Sequence, residues 1–62
     1  MKYTVKQARV LADFTQTKMA KMLGISRDTY RKIELDPESA KISQAKKISK
    51  ITCIEFSDIF MP

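Results

Sequence analysis

Apolar residues recur every three or four positions along most of the chain, which is the spacing of amphipathic helices. A first helix is predicted to begin after Thr4, because its hydroxyl and the side chain of Gln7 can form a capping box. This helix ends at the interruption formed by residues 13–15. Its inward face is predicted to carry four apolar residues, which are Val5, Ala8, Leu11 and Ala12.

A second and a third helix are predicted on either side of Gly24. Thr15 can cap the second helix, residues 16–23, and Ser26 can cap the third, residues 27–35. Gly24 ends the second helix, since glycine takes a left-handed conformation without steric cost. The apolar seam between the two helices is predicted to contain Met19, Ala20, Leu23, Ile25, Tyr30 and Ile33.

The C-terminal part is predicted to form a turn at residues 36–39, a fourth helix over residues 43–50 and a fifth over residues 56–60. The inward positions of the fourth helix are Ala45, Ile48 and Ile51. Cys53 is expected to be a small buried hydrophobe. The apolar side chains near the C-terminus are more than one short helix can bury on a domain of this size. They either pack in the core or form a two-fold interface between two copies of the chain. They are Ile54, Phe56, Ile59, Phe60 and Met61.

Length and composition restrict the classes of function. The 62 residues allow one domain with a thin core, and a large enclosed catalytic pocket is not expected. The absence of His and the single Cys exclude an intrachain zinc site of Cys and His, as well as a disulfide scaffold. We find no nucleophile–base pair and no phosphate-binding loop, so neither an enzyme nor a cofactor or small-molecule substrate is expected. No apolar run approaches the ~20 residues that span a bilayer, so we expect a cytoplasmic protein without a membrane partner.

The charge is distributed unevenly. The chain carries a net charge of +5, but residues 1–33 carry +6 and residues 34–62 carry −1. One interpretation is a basic face directed at a polyanion, and the other is a solvated lysine surface.

The spacing around Gly24 is that of a helix-turn-helix. Ala20 lies where two helices cross most closely, and Gly24 makes the sharp turn between them. On these residues the chain resembles the Cro/repressor (XRE-type) family of phage and bacterial transcription regulators. The matching stretches are residues 16–26 and 29–34, and they define a helix-turn-helix core at residues 16–35. The closing pair of helices of the family is matched by residues 48–50 and then by Ile54, Ile59 and Phe60. The resemblance covers residues 5–60 and implies an all-α, compact five-helix repressor-like DNA-binding domain over residues 1–62.

The chain departs from the pattern of the family at two places. Leu35 and Asp36 stand where the family often has Asn-Gly, and Cys53 stands where a glycine is usual. Each departure falls where a predicted helix ends and a loop begins, so the departures concern the conformation of those loops.

The resemblance implies that the third helix enters the major groove of double-stranded DNA with its first turns against the bases. The candidates for base readout are Arg27, Asp28, Arg31 and Lys32. Arg27 can reach O6 and N7 of guanine in bidentate fashion, and Lys32 can do so less rigidly. Asp28 can accept from cytosine N4 or form an intrahelical ion pair with Arg31 and Lys32. Arg31 is either a second reader or a phosphate contact.

Four further residues are candidates for phosphate contacts. Gln16 lies at the N-terminus of the second helix, where free N–H groups and the helix dipole favour an anion, and the family uses a glutamine at that place. Ser26 is a second candidate and is expected to be the cap of the third helix in any case. Lys18 and Lys41 are the others.

The resulting hypothesis is a sequence-specific regulator, a repressor or Cro-like switch protein, that binds a pseudo-palindromic operator as a homodimer. Activation through contact with polymerase is equally compatible with these residues. The regulator would act in the cytoplasm of a bacterial cell or a phage-infected host. The alternative keeps the fold as a protein-interaction module, such as an antitoxin or an antirepressor-like partner. Weak binding to random DNA with little dependence on salt would favour that alternative.

Overall fold

The computed structural model describes residues 2–61, which form an all-helical fold, as predicted. Along that part of the chain lie five α-helices and one short 3₁₀ turn, Pro37–Ser39. The α-helices are α1 (Val5–Leu11), α2 (Gln16–Leu23), α3 (Arg27–Leu35), α4 (Ile42–Thr52) and α5 (Phe56–Phe60). Among these described residues, no helix combines the length and apolar character needed to cross a membrane.

Three helices begin at a hydroxyl side chain, which confirms the predicted caps Thr4, Thr15 and Ser26. Each hydroxyl oxygen accepts from the backbone N–H three residues later, over 3.0–3.1 Å. At α1 the side chain of Gln7 accepts in return from the N–H of Thr4 over 2.9 Å, so the predicted capping box is present. These side chains satisfy helix N–H groups that have no intrahelical partner, and they fix where α1, α2 and α3 start.

Three helices also end in the same way. Asp13, Gly24 and Cys53 follow α1, α2 and α4 and take left-handed conformations, with φ of 64°, 72° and 59°. The N–H of the residue after each of them donates to the carbonyl oxygen five positions earlier, over 3.0–3.3 Å. This is the hydrogen bond that closes a helix in a Schellman motif. Asp13 and Cys53 therefore adopt the backbone conformation that Gly24 adopts at the predicted corner.

The expectation that Cys53 is buried is wrong. Its side chain is exposed, and its Sγ lies 3.8 Å from the carbonyl oxygen of Lys50. The cause is the position at the end of α4, where the chain reverses and the left-handed residue stays on the outside of the turn. The loop keeps the conformation that a glycine would take, although the residue is not glycine.

Replacing Cys53 by glycine is expected to raise the free energy of unfolding by about 1 kcal/mol. A β-carbon in the left-handed region costs about 1–2 kcal/mol, and the greater freedom of glycine in the unfolded chain offsets part of that gain. The matched control is Asp13→Gly, for which a smaller gain is expected because Asp tolerates this conformation better. Urea denaturation of the three proteins measures the difference, and a loss of stability in Cys53→Gly would contradict the argument.

The core is built by all five helices of the described chain. Its residues are Val5, Ala8, Met19, Ala20, Leu23, Tyr30, Ile33, Ala45, Ile48 and Ile59. Leu11 was expected among them, but it is 65% exposed, because it lies at the flank of the α1 face that Val5 and Ala8 bury. Ala12, the cap that follows α1, is half-buried.

α4 begins one residue earlier and ends two residues later than the predicted range 43–50. Its last turn buries Thr52, whose hydroxyl donates to the carbonyl oxygen of Ile48 over 2.8 Å. Ile51, predicted to face inward, is half-buried. A threonine whose hydroxyl bonds to its own helix fits in the core because the only polar hydrogen of its side chain is satisfied there.

The apolar C-terminal residues divide between core and surface. Ile59 is fully buried, while Phe56 and Phe60 are half-buried and stack with ring centroids 5.3 Å apart. Met61 is 50% exposed. Some of these apolar side chains are therefore buried in the core, and the others remain at the surface.

Candidate nucleic-acid interface

The corner between α2 and α3 has the predicted geometry. The N–H of Gly24 donates to the carbonyl oxygen of Lys21 over 3.1 Å, and that of Ile25 donates to Ala20 over 3.0 Å. The predicted seam is confirmed: Met19, Ala20, Leu23, Tyr30 and Ile33 are buried, and Ile25 packs against them half-buried. Because this seam holds one face of α3 against the body, the opposite face is directed to solvent.

Arg27, Asp28, Arg31 and Lys32 are all exposed. The last three lie opposite the buried residues of α3, and Arg27 lies at the edge of the same surface, in the first turn. Within the described chain, no hydrogen bond or ion pair engages their side chains. Three cations and one carboxylate are therefore available on the first two turns of a helix whose N-terminus is also exposed.

The structure does not contain the intrahelical ion pair that was one interpretation of Asp28. In the part of the chain that is described, the ion pair within 4.0 Å joins Arg9 to Glu34 instead. Asp28 lies in the first turn of α3, where the helix dipole favours a negative charge. Its carboxylate is open to solvent and to whatever approaches this face.

The four candidates for phosphate contacts differ in what their side chains already do. Lys18 in α2 and Lys41, immediately before α4, are exposed. Ser26 is exposed, but its Oγ accepts from the N–H of Thr29 over 3.1 Å and donates to Thr29 Oγ1 over 2.8 Å. The expected capping role of Ser26 is thus present through its hydroxyl oxygen, and its hydroxyl proton is used in the bond to Thr29 Oγ1. Gln16, the first residue of α2, is half-buried.

A partly buried cluster around the carboxylate of Glu34 joins the first three helices. Glu34 Oε2 accepts from Arg9 Nε over 2.7 Å and from the hydroxyl of Tyr30 over 2.6 Å. Glu34 Oε1 accepts from Gln16 Nε2 over 2.9 Å. Arg9 also donates through Nη1 to the carbonyl oxygen of Phe14 over 2.7 Å. The side chains of Arg9 and Glu34 are 12% and 6% exposed, so this network is largely removed from water.

The electrostatics of the cluster favour a charged carboxylate and a neutral phenol. Burial alone would raise the pKa of Glu34, but hydrogen bonds from Arg9, Tyr30 and Gln16, together with the charge of Arg9, lower it below its ordinary value. Burial and the neighbouring Glu34 raise the pKa of Tyr30. The carboxylate is therefore ionised at neutral pH and acts only as an acceptor.

Arg9 and Glu34 carry no local sequence signal that marks them as partners, because 25 positions separate them. The spacing of Tyr30 and Glu34, four residues apart, places both on one face of a helix and is the one hint available. Gln16 could be identified from its place at the start of α2, but its bond to Glu34 could not.

Comparison with known proteins agrees with this geometry. A family model described as helix-turn-helix matches residues 5–58. A protein of Methanocaldococcus jannaschii, named as an uncharacterized HTH-type transcriptional regulator, is 38% identical over 61 residues, which are 98% of this chain and 92% of that protein. No solved structure gives a significant match. With α2, Gly24 and α3 in the arrangement described, the chain belongs to the helix-turn-helix family of the Cro/repressor (XRE) type.

Proposed function

We propose that this protein is a sequence-specific, double-stranded DNA-binding transcription regulator that reads bases with α3. The observation that carries the proposal is the exposed face of α3, on which Arg27, Asp28, Arg31 and Lys32 have no competing partner within residues 2–61. An α-helix fits the major groove, and these residue types match the donors and acceptors of base edges there. Family membership and the name of the archaeal relative support a regulatory role.

Within this proposal the four side chains have different tasks. Arg27 contacts guanine, and Lys32 contacts a second base. Asp28 accepts from cytosine, and its freedom from Arg31 and Lys32 supports that role over the ion pair. Arg31 reads a base or contacts a phosphate. Residues 1–62 act as one domain whose DNA-reading unit is residues 16–35.

Phosphate contacts supply most of the affinity and the register. We assign them to Gln16 and Lys18 at the start of α2, to Ser26 at the start of α3 and to Lys41 before α4. The exposed N-termini of α2 and α3 support the assignment, because backbone N–H groups there favour an anion. For Ser26 the contact is made through its backbone N–H, since its hydroxyl is used by Thr29.

The regulator acts as a homodimer on a pseudo-palindromic operator, as a repressor or a Cro-like switch protein in the cytoplasm. Two-fold symmetry would place the two recognition helices about 34 Å apart, one turn of DNA. The exposed apolar side chains of Leu35, Ile42 and Met61 support a contact with a second copy. Bound protein would exclude polymerase or a competing regulator. It needs no metal, cofactor or small-molecule substrate for this, and it is not an enzyme.

Replacing Arg27 by alanine is expected to cost about 1–3 kcal/mol of binding to the preferred site and to relax specificity at one base position. Replacing Gln16 by alanine should instead weaken binding to every sequence alike, because a phosphate contact carries no sequence information. The preferred site is obtained by selecting bound duplexes from a random pool, and an inverted repeat among them supports the dimer. Affinities for that site and for random DNA are then measured for each variant.

The matched control is Lys47→Ala, which removes an exposed cation of α4 that has no assigned contact. It is expected to change both affinities little. Equal losses on the selected and the random duplex in Arg27→Ala would defeat base readout by α3.

A further inference from the structure

The amide of Gln16 is held in one orientation by Glu34. An ionised carboxylate accepts hydrogen bonds and cannot donate them, so the Gln16 side chain must turn its NH₂ group toward Glu34 Oε1, at 2.9 Å. One of the two Nε2 hydrogens is used in this bond. The other has no acceptor among residues 2–61, and the side chain is half-exposed at the N-terminus of α2.

Glu34 is itself immobilised. Its Oε2 receives two donors, Arg9 Nε at 2.7 Å and the Tyr30 hydroxyl at 2.6 Å. Arg9 is fixed in turn by its bond to the carbonyl oxygen of Phe14. A chain of hydrogen bonds therefore runs from Arg9 in α1 through the Glu34 carboxylate to Gln16 at the start of α2. The Glu34 side chain is only 6% exposed.

We propose that Glu34 is a positioning residue for DNA binding, because it holds the Gln16 amide with its second N–H directed outward to a phosphate oxygen. This inference rests on the proposed function. Pre-ordering a flexible side chain reduces the entropy lost when the contact forms, and the anionic carboxylate polarises the amide that it binds. The positive charge of Arg9 offsets that of Glu34, so the acid near the interface does not repel the phosphate.

The test is the substitution Glu34→Gln, which preserves the shape of the side chain. A glutamine has one acceptor oxygen, and the two donors Arg9 and Tyr30 retain it, so the new NH₂ group faces Gln16. The Gln16 amide must then turn over to accept from it, and an oxygen replaces the outward N–H. Binding to a short random-sequence duplex at low salt is expected to weaken about three- to tenfold, the same loss that is expected for Gln16→Ala.

The double variant Gln16→Ala/Glu34→Gln should bind no more weakly than Gln16→Ala alone, since the contact that Glu34 supports is already absent. Tyr30→Phe is the matched control: it removes another donor to the same carboxylate but leaves the Gln16–Glu34 bond intact. Its affinity is expected to change less than twofold. Thermal unfolding of each variant sets an assay temperature at which all are folded. Losses that multiply in the double variant would overturn the proposal.

A second measurement uses the unaltered protein and is independent of the stability of any variant. In nitrogen–proton NMR spectra one of the two Nε2 hydrogens of Gln16, the one bonded to Glu34, should be protected from solvent exchange relative to the other. Addition of the random duplex should shift the signal of that other hydrogen. Solvent exchange that is rapid for both hydrogens would overturn the positioning role even where the duplex binds, whereas failure of the duplex to bind would overturn the proposed function itself.

Discussion

Replacing Arg9 by leucine is expected to lower the free energy of unfolding by about 3–5 kcal/mol. The substitution leaves the carboxylate of Glu34, 6% exposed, without its positive partner at 2.7 Å. It also removes the donor to the carbonyl oxygen of Phe14, which closes the connection from α1 to α2. A domain of this size has a total stability of roughly 5 kcal/mol, so the remaining stability is about 0–2 kcal/mol, and between about 3% and about half of the variant is expected to be unfolded at room temperature.

The double variant Arg9→Leu/Glu34→Leu provides the comparison. It removes both charges together, so no uncompensated charge remains in the interior, and it is expected to be more stable than Arg9→Leu alone. Urea denaturation followed by circular dichroism gives the free energies of unfolding of Arg9→Leu, of Glu34→Leu, of the double variant and of the original chain. If the two single losses simply add in the double variant, the ion pair is not what couples α1 to α3.

The affinity for random duplex DNA is expected to fall roughly 40- to 150-fold between about 50 and about 200 mM salt. Each protomer is taken to neutralise about three to four phosphates. For each of them, the plot of the logarithm of the binding constant against the logarithm of the salt concentration gains a slope of about −0.9. The cations that contact phosphates in the proposed complex are exposed. Two of them are assigned to phosphates, Lys18 and Lys41, and Arg31 either contacts a phosphate or reads a base. Fluorescence anisotropy of a labelled duplex across the salt range gives the slope.

Variants of single lysines make the salt experiment specific. Lys18→Ala should reduce the slope by about 1, and the control Lys47→Ala, on an exposed position of α4, should leave it nearly unchanged. Weak binding with little dependence on salt would contradict a polyanion partner. It would instead favour the protein-interaction module, for which the exposed apolar side chains of Leu35 and Ile42 are a candidate contact surface.

The fold could be predicted from local signals, because short stretches of sequence determine the helix caps and the corner between α2 and α3. Thr4, Thr15 and Ser26 each act within three residues of their own position, and Gly24 acts on the turn that contains it. The faces of α2 and α3 followed from helical periodicity in the same way. Family resemblance then supplied the arrangement of the helices as a whole.

What local signals could not supply depends on how the helices pack. Leu11 has the spacing of a core residue, but its exposure is decided by which side of α1 the other helices cover. Cys53 is chemically a good core residue, yet its place at a left-handed helix end puts it in solvent. The pairing of Arg9 with Glu34 links positions 25 residues apart, and no periodicity within one helix indicates it.

The Glu34 cluster also has a consequence for engineering. Residues 16–35, transplanted alone onto another scaffold, would carry an acidic group whose guanidinium counterion remains behind on α1. A chimera that exchanges recognition helices should therefore take the stretch from Val5 to Leu35, or else swap only the outward side chains of α3 and leave the recipient's own interior untouched.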